Sequence, residues 1–222
     1  MKIFRNSIIV LLTMLSTILS GQTMDPFFNN YSFYKSFHPG KAMVYKDIEG
    51  SPYLNSDFND GVFYVSDTLK VKVPIRYNIY SDVMEYQLNN INYVVGNPEA
   101  LTKITIGRSV YLYMPFIKKG NYFEMIEPGK CMLVQKKSVR LKPAEEPRAI
   151  LTTPVPATFQ RKTDVNYIVN SQLQYFKIDN MKSVMMALQD QKLKIEAYTK
   201  QEKIRNVKLE NLIKIVKYYN SL

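Results

Sequence analysis

The chain of 222 residues holds one cysteine, Cys131, and one histidine, His38. A single cysteine excludes an intramolecular disulfide and the four thiolates of a structural zinc site, so the fold must be held by packing. A single histidine excludes His-x-His and His-Glu-x-x-His zinc motifs. No Gly-x-Ser-x-Gly elbow is present, and no Ser-x-x-Lys stands where a helix would follow a strand. A Cys131–His38 pair is the thiol arrangement that remains, and nothing around either residue marks it as activated. Residues 55–61, NSDFNDG, have the oxygen donors of a calcium loop. Their glycine comes one place late, however, and Ser66 stands where a closing carboxylate belongs. An Asx-rich turn explains them better. The sequence therefore offers no nucleophile motif, no metal site and no cofactor motif.

Long apolar runs are also scarce, with one exception at the start. Lys2 and Arg5 precede an apolar run over 8–19 that is broken only by Thr and Ser, and then come Ser20, Gly21 and Gln22. That order predicts a secretory signal peptide over 1–21, cleaved near Gly21–Gln22. An uncleaved anchor is the alternative, but the run is short of the roughly 20 residues a span needs. With no cysteine at the cleavage point, an acylated lipoprotein is excluded. The expected mature chain has 201 residues, and its formal charge falls from +11 to +9 with the loss of Lys2 and Arg5. No later stretch could span a bilayer as a helix. The expected location is thus periplasmic, outer-membrane-associated or extracellular, and nucleic acid is not an expected partner.

What the sequence does hold is alternation. In residues 69–80, LKVKVPIRYNIY, one parity carries Leu69, Val71, Val73, Ile75, Tyr77 and Ile79. The other carries Lys70, Lys72, Pro74, Arg76, Asn78 and Tyr80. This predicts a long half-buried strand of an antiparallel sheet. Pro74 cannot donate to a ladder, so its part of the strand should lie at an edge or bulge. Further short strands are expected at 43–45, 62–65, 83–88, 91–95, around Ile104 and Ile106, at 110–116, 122–126 and 131–141. Asn89–Asn90 suits a hairpin turn between two of them. A proline-containing strap over 143–163 ends this series, and a hairpin over 165–178 follows. From Asp179 the period becomes helical, with Asp179 or Asn180 as one N-cap and Asp190 as a second. The expected fold is α+β: an antiparallel β-meander or partial barrel, then a hairpin and short C-terminal helices. Its segments are the signal peptide 1–21, a β-rich domain 22–142 with an aromatic N-terminal arm, the strap 143–163, and a hairpin with helices over 164–222.

Several stretches resemble a family of exported Bacteroidota proteins. They are Gly50-Ser51-Pro52-Tyr53-Leu54-Asn55 before Phe58 and Gly61, VPIRYNIYSD at 73–82 with Met84-Glu85, Gly120 with Tyr122-Phe123-Glu124, and Tyr218-Tyr219-Asn220. The resemblance implies export and a sheet followed by helices. It implies no activity, ligand or catalytic residue.

Two surfaces are candidate binding sites. Arg76, Asn78 and Tyr80 share the non-core face of the long strand, and Tyr111 and Tyr113 on a later strand could extend that patch. A guanidinium, an amide and phenols in a row suit a glycan or the edge of a partner sheet. The alternative is that this face is covered by the arm or the helices. The second surface is basic: 181–222 carries nine Lys/Arg against four Asp/Glu, with Lys208, Lys214 and Lys217 off the apolar stripe of the last helix. Such a face attracts anionic envelope polymers such as lipopolysaccharide, or it simply keeps the protein soluble. Carboxylates that could serve a glycosidase are Asp57, Asp60, Asp82, Glu85 and Glu124. The expected function is that of an exported, non-catalytic cell-envelope protein binding another envelope protein or an anionic or glycan ligand. A carboxylate-dependent glycoside hydrolase or other hydrolase, and a structural accessory subunit, are the alternatives.

Overall fold

The computed structural model describes residues 40–115, 121–145 and 154–222. The expected signal peptide, most of the aromatic arm with His38, residues 116–120 and the middle of the strap lie outside the described residues.

The strands are β1 (Gly40–Lys41), β2 (Asn59–Tyr64), β3 (Lys70–Asn78), β4 (Val83–Leu88), β5 (Ile91–Val94), β6 (Lys103–Ile106), β7 (Ser109–Met114), β8 (Asn121–Glu127), β9 (Met132–Lys136), β10 (Val139–Lys142), β11 (Thr158–Arg161), β12 (Val165–Val169) and β13 (Tyr175–Lys177). Three helices follow: α1 (Met181–Ala187), α2 (Lys192–Gln201) and α3 (Leu209–Asn220). Eleven strands of the described residues form one antiparallel sheet in the order β1-β5-β4-β3-β2-β6-β7-β8-β9-β12-β13. The chain meanders from β2 to β5, crosses back to the free side of β2, and meanders again from β6 to β9. Strands β10 and β11 pair apart from this sheet. The fold is α+β and mostly meander, and the sheet is not a closed barrel.

Alternation places β3 as the sequence demands, with Val71, Val73, Ile75 and Tyr77 all buried. Asn89 and Asn90 take φ of 50° and 61° and close the β4–β5 hairpin at Leu88↔Ile91. Pro74 lies on an internal strand, but its ladder is one-sided there. It pairs with Asp60 of β2, whereas pairing with β4 begins at Ile75↔Tyr86. The missing N–H therefore costs no bond on the β4 side.

The sheet curls. Tyr77 of β3 meets Tyr111 of β7 at 5.6 Å between ring centroids and Tyr122 of β8 at 5.9 Å. Four strand spacings separate β3 from β8 and would amount to about 19 Å in a flat sheet. Only a sheet curled toward the Tyr77 face brings these rings together. Phe63, Ile75, Met84, Tyr86 and Ile104 are fully buried with them. Lys136 closes the curl. Its ammonium lies 2.5 Å from Asp82 Oδ1, and it donates to Tyr77 OH at 3.1 Å and to the Tyr122 carbonyl at 3.0 Å. Burial, against the opposing pull of Asp82, lowers its pKa.

The helices pack over the later strands, where Leu133, Ile168, Val184, Leu188, Ile195, Leu212, Ile215 and Val216 form one core. Helix α1 starts with a reciprocal capping box between Asn180 and Ser183. The C-terminus is pinned by the Asn220 side chain, which accepts from Cys131 N at 2.9 Å and donates to Cys131 O at 2.9 Å and Pro128 O at 3.1 Å.

Some expected boundaries shift. The first described strand is Gly40–Lys41, and residues 43–45 are not a strand. Strand β3 stops at Asn78, so Tyr80 sits in the turn to β4. Residues 131–141 divide between β9 and β10, and the strap contains β11, which supplies the partner of β10. Asp190 caps no helix. Gln191 holds the N-cap position of α2 without a side-chain bond, and Asp190 instead accepts from Tyr219 OH at 2.7 Å.

Candidate binding cleft

Residues 48–54 are stitched between two strands. Glu49 exchanges backbone hydrogen bonds with Ala157 and Phe159, while Leu54 N donates to Tyr77 O and Tyr80 N to Pro52 O. Residues 52–54 thus lie beside the end of β3, with Tyr53 bridged to Asn78, and the Tyr53 side chain lies on the face of β3 opposite to Tyr77. With Phe58 and Tyr45 it covers part of the face that the sequence alone leaves open.

Beneath it, Arg76 and Glu85 form a cross-strand ion pair with Nη2 2.7 Å from Oε2, and the Glu85 side chain is fully buried. Arg76 Nε also donates to that oxygen at 2.9 Å, Nη1 to Ser56 O at 3.1 Å and Nη2 to Tyr53 OH at 2.8 Å. Its guanidinium carbon lies 3.8 Å from the Tyr53 ring centroid and 4.4 Å from that of Phe58. Asn78 is equally committed. Its Oδ1 accepts from Tyr80 N and Ser81 N, and its Nδ2 donates to Tyr45 OH at 3.0 Å and Glu85 Oε1 at 3.1 Å. Burial, followed by the Glu85 charge, raises the Tyr53 pKa. Tyr45 meets Phe159 at 5.4 Å and Tyr80 at 5.9 Å, edge to face.

Arg76 and Asn78 therefore do not stand free on an open face, although Arg76 also lines the cleft described below. Their charge and hydrogen-bonding capacity are spent inside the protein. Tyr80 is 40% exposed, with its ring against Phe159 at 5.0 Å. Tyr111 cannot extend this patch because it packs against Tyr77 on the opposite face. Burial, and next the Glu124 charge, pushes its hydroxyl up to about 12. Tyr113 shares that opposite face, 5.1 Å from Tyr122. Lys208, Lys214 and Lys217 are exposed, and Lys217 lies 3.7 Å from Glu127.

Above the polar layer is a cleft of about 560 Å³. Tyr45, Tyr53 and Phe159 line it, and Met43, Val44 and Ile91 stand at its walls with exposures of 59%, 77% and 53%. Among the described residues, Lys41 is the lining cation not held in an ion pair, since Arg76 is neutralised by Glu85. The cleft suits apolar side chains better than anions. It also flanks β5, whose Ile91 and Asn92 continue beyond the two pairs made with β1. Sequence reasoning missed Tyr45, Tyr53, Phe159 and Ile91 as neighbours. They come from four separate segments, and only the Gly50–Asn55 motif hinted at one of them.

The other candidate groups are accounted for locally. Cys131 is fully buried, and burial pushes its thiol up to about 12, the reverse of activation. Asn55 accepts from Asp57 N and Asn59 donates to Asp57 O, so an Asx turn at Asn55 leads into β2 at Asn59. Among the described residues no group of acidic, His or Cys side chains could hold a metal. Glu85, Asp82 and Glu124 are held by Arg76, Lys136 and Lys137 respectively. No helix among the described residues is long and apolar enough to cross a membrane.

No family model matches the chain, and neither the curated proteins nor the solved structures contain a significant match.

Proposed function

We propose that this is an exported cell-envelope protein that binds an apolar segment of another envelope protein in the cleft beside β5. The observation that carries this reading is the wall of Met43, Val44 and Ile91, large apolar side chains more than half exposed around one concavity. Apolar surface gathered around a concavity marks an interaction site, whereas apolar residues scattered singly do not. The commitment of the strand carboxylates to cations favours binding over hydrolysis. Export rests on the n-region, apolar run and small residues of 1–21, together with the resemblance to exported Bacteroidota proteins.

The test is site-specific photocrosslinking in the source cells. A photoreactive residue at Val44 should give an adduct with one envelope protein, and the adduct should disappear in an Ile91→Asp variant. The same residue at Lys72, exposed on β3, should give none. Equal adducts at both positions, or none at Val44, would overturn the proposal. N-terminal sequencing of the envelope fraction checks export, with cleavage expected near Gly21–Gln22.

A further inference from the structure

A second depression, of about 360 Å³, lies between the tip of the β12–β13 hairpin and the end of α1. Its chemistry differs from that of the cleft. Gln172, Gln174, Gln189 and Asp190 line it together with Phe176 and Met186, and no lysine or arginine does.

The hairpin tip is shaped by Asn170. Its Oδ1 accepts from Gln172 N at 3.0 Å and Gln174 N at 2.9 Å, and its Nδ2 donates to Gln174 Oε1 at 3.0 Å. Asn170 thus spends its capacity on the loop, and Gln174 keeps its Nε2 donors. The side-chain amides of Gln172 and Gln189 make no hydrogen bond among the described residues. Asp190 is fixed by Tyr219 OH at one oxygen, 2.7 Å away, and its other oxygen has no hydrogen-bond partner among the described residues. Tyr219 is itself 5% exposed within the helical core, so the carboxylate is held by a rigid element.

We infer that this depression is a binding site for a neutral glycan. Amides offer a donor and an acceptor side by side, and a carboxylate oxygen adds a strong acceptor, a set that matches neighbouring sugar hydroxyls. Phe176 and Met186 supply the apolar surface on which the C–H face of a pyranose can lie. The volume is within the range of small-ligand sites. A phosphorylated or carboxylated glycan is disfavoured, because the one charged lining group is Asp190. This inference is independent of the protein-binding cleft.

The probes are neutral tetrasaccharides of glucose, galactose, mannose and N-acetylglucosamine, titrated to millimolar concentration into the full-length protein. Binding is read from the side-chain amide resonances of Gln172 and Gln189. One member of the panel should shift both amides saturably. The Gln172→Ala/Gln189→Ala variant removes exposed groups without internal partners, so it should fold normally and bind roughly tenfold or more weakly. The Ile91→Asp variant should bind the sugar as the unmodified protein does. The inference is overturned if no sugar moves these resonances, if the double variant binds unchanged, or if Ile91→Asp abolishes binding.

Discussion

Removing one charge from the Arg76–Glu85 pair should be far more costly than removing both. Glu85 is fully buried, whereas the Arg76 side chain keeps 15% of its exposure. Breaking a buried pair leaves an uncompensated charge and costs about 3–5 kcal/mol, while replacing the whole pair is often close to neutral. The two single variants should differ in a defined way. Arg76→Met strands a carboxylate with no route to water, so its cost should lie at the upper end of that range. Glu85→Gln strands a guanidinium that can turn toward solvent through the cleft and still stacks on Tyr53, so its cost should be nearer 3 kcal/mol. In the double variant Arg76→Met/Glu85→Gln no charge is left. Its cost should fall below that of either single variant, reflecting only the polar groups of Asn78 and Tyr53 that lose partners. Urea unfolding followed by far-ultraviolet circular dichroism measures all three, and tyrosine fluorescence gives a second probe in a chain without tryptophan. Single-variant costs under about 1 kcal/mol would mean that the pair behaves as a surface salt bridge. Strict additivity in the double variant would show that the two groups do not act as a unit, and would equally refute the reasoning.

Further outcomes follow from the seat of α3 and from the buried titratable groups. Asn220→Ala removes three hydrogen bonds that seat α3 on the β8–β9 turn and should cost about 2–3 kcal/mol in the same assay. Gly129→Ala should weaken the same seat, because a Cβ there would fall 2.2 Å from Asn220 Nδ2. The Cys131 thiol should resist disulfide reagents at mildly alkaline pH until the protein unfolds. Because burial raises its folded pKa from 9.0 to about 12, its contribution is intact below pH 9 and declines as pH climbs toward 12. The decline amounts to as much as about 4 kcal/mol, and Tyr111 adds a loss of the same sign above pH 10. Stability measured from pH 8 to 11.5 should therefore fall, less steeply for Cys131→Ala. A flat profile would contradict the burial of both groups.

The sheet was legible wherever alternation and turn chemistry agreed. Lys70–Asn78 reads as a strand because its parity separates valine, isoleucine and tyrosine from lysine, and Asn89–Asn90 reads as a turn because asparagine tolerates positive φ. The helices were legible from the change of period after Asp179. The curl of the sheet was not, since it is set by contacts such as Tyr77 with Tyr122, 45 residues apart, that leave no local pattern. The covering of the Arg76 face was hidden for a related reason. Alternation indicates which residues leave the core side of one strand, but not whether another segment lies on the far side. Here the Tyr53 side chain does, carried by 48–54, which is bridged to β11 by backbone hydrogen bonds that any sequence could make. The strap looked structureless because four prolines mask the short run Thr158–Arg161, whose partner Val139–Lys142 was itself merged into a longer strand.

The most distinctive stretch of the chain, VPIRYNIYSD, thus serves architecture on both of its faces. Tyr77 and Asp82 reach inward to Lys136 and hold the curl closed. Arg76 and Asn78 reach outward to Glu85, Tyr53 and Tyr45 and anchor the covering layer. A row of polar residues on a strand invites reading as a ligand site, but Arg76, Asn78, Tyr77 and Asp82 are each already engaged with other groups of the protein, and satisfying buried polar groups is itself a demanding sequence constraint. The motif bears on the cleft through Arg76 and the Tyr53 and Tyr45 side chains it anchors there. On the proposed reading, recognition falls to side chains with capacity to spare. Those are the apolar rim of Met43, Val44 and Ile91, and the amides of Gln172 and Gln189, none of which lies within the motif.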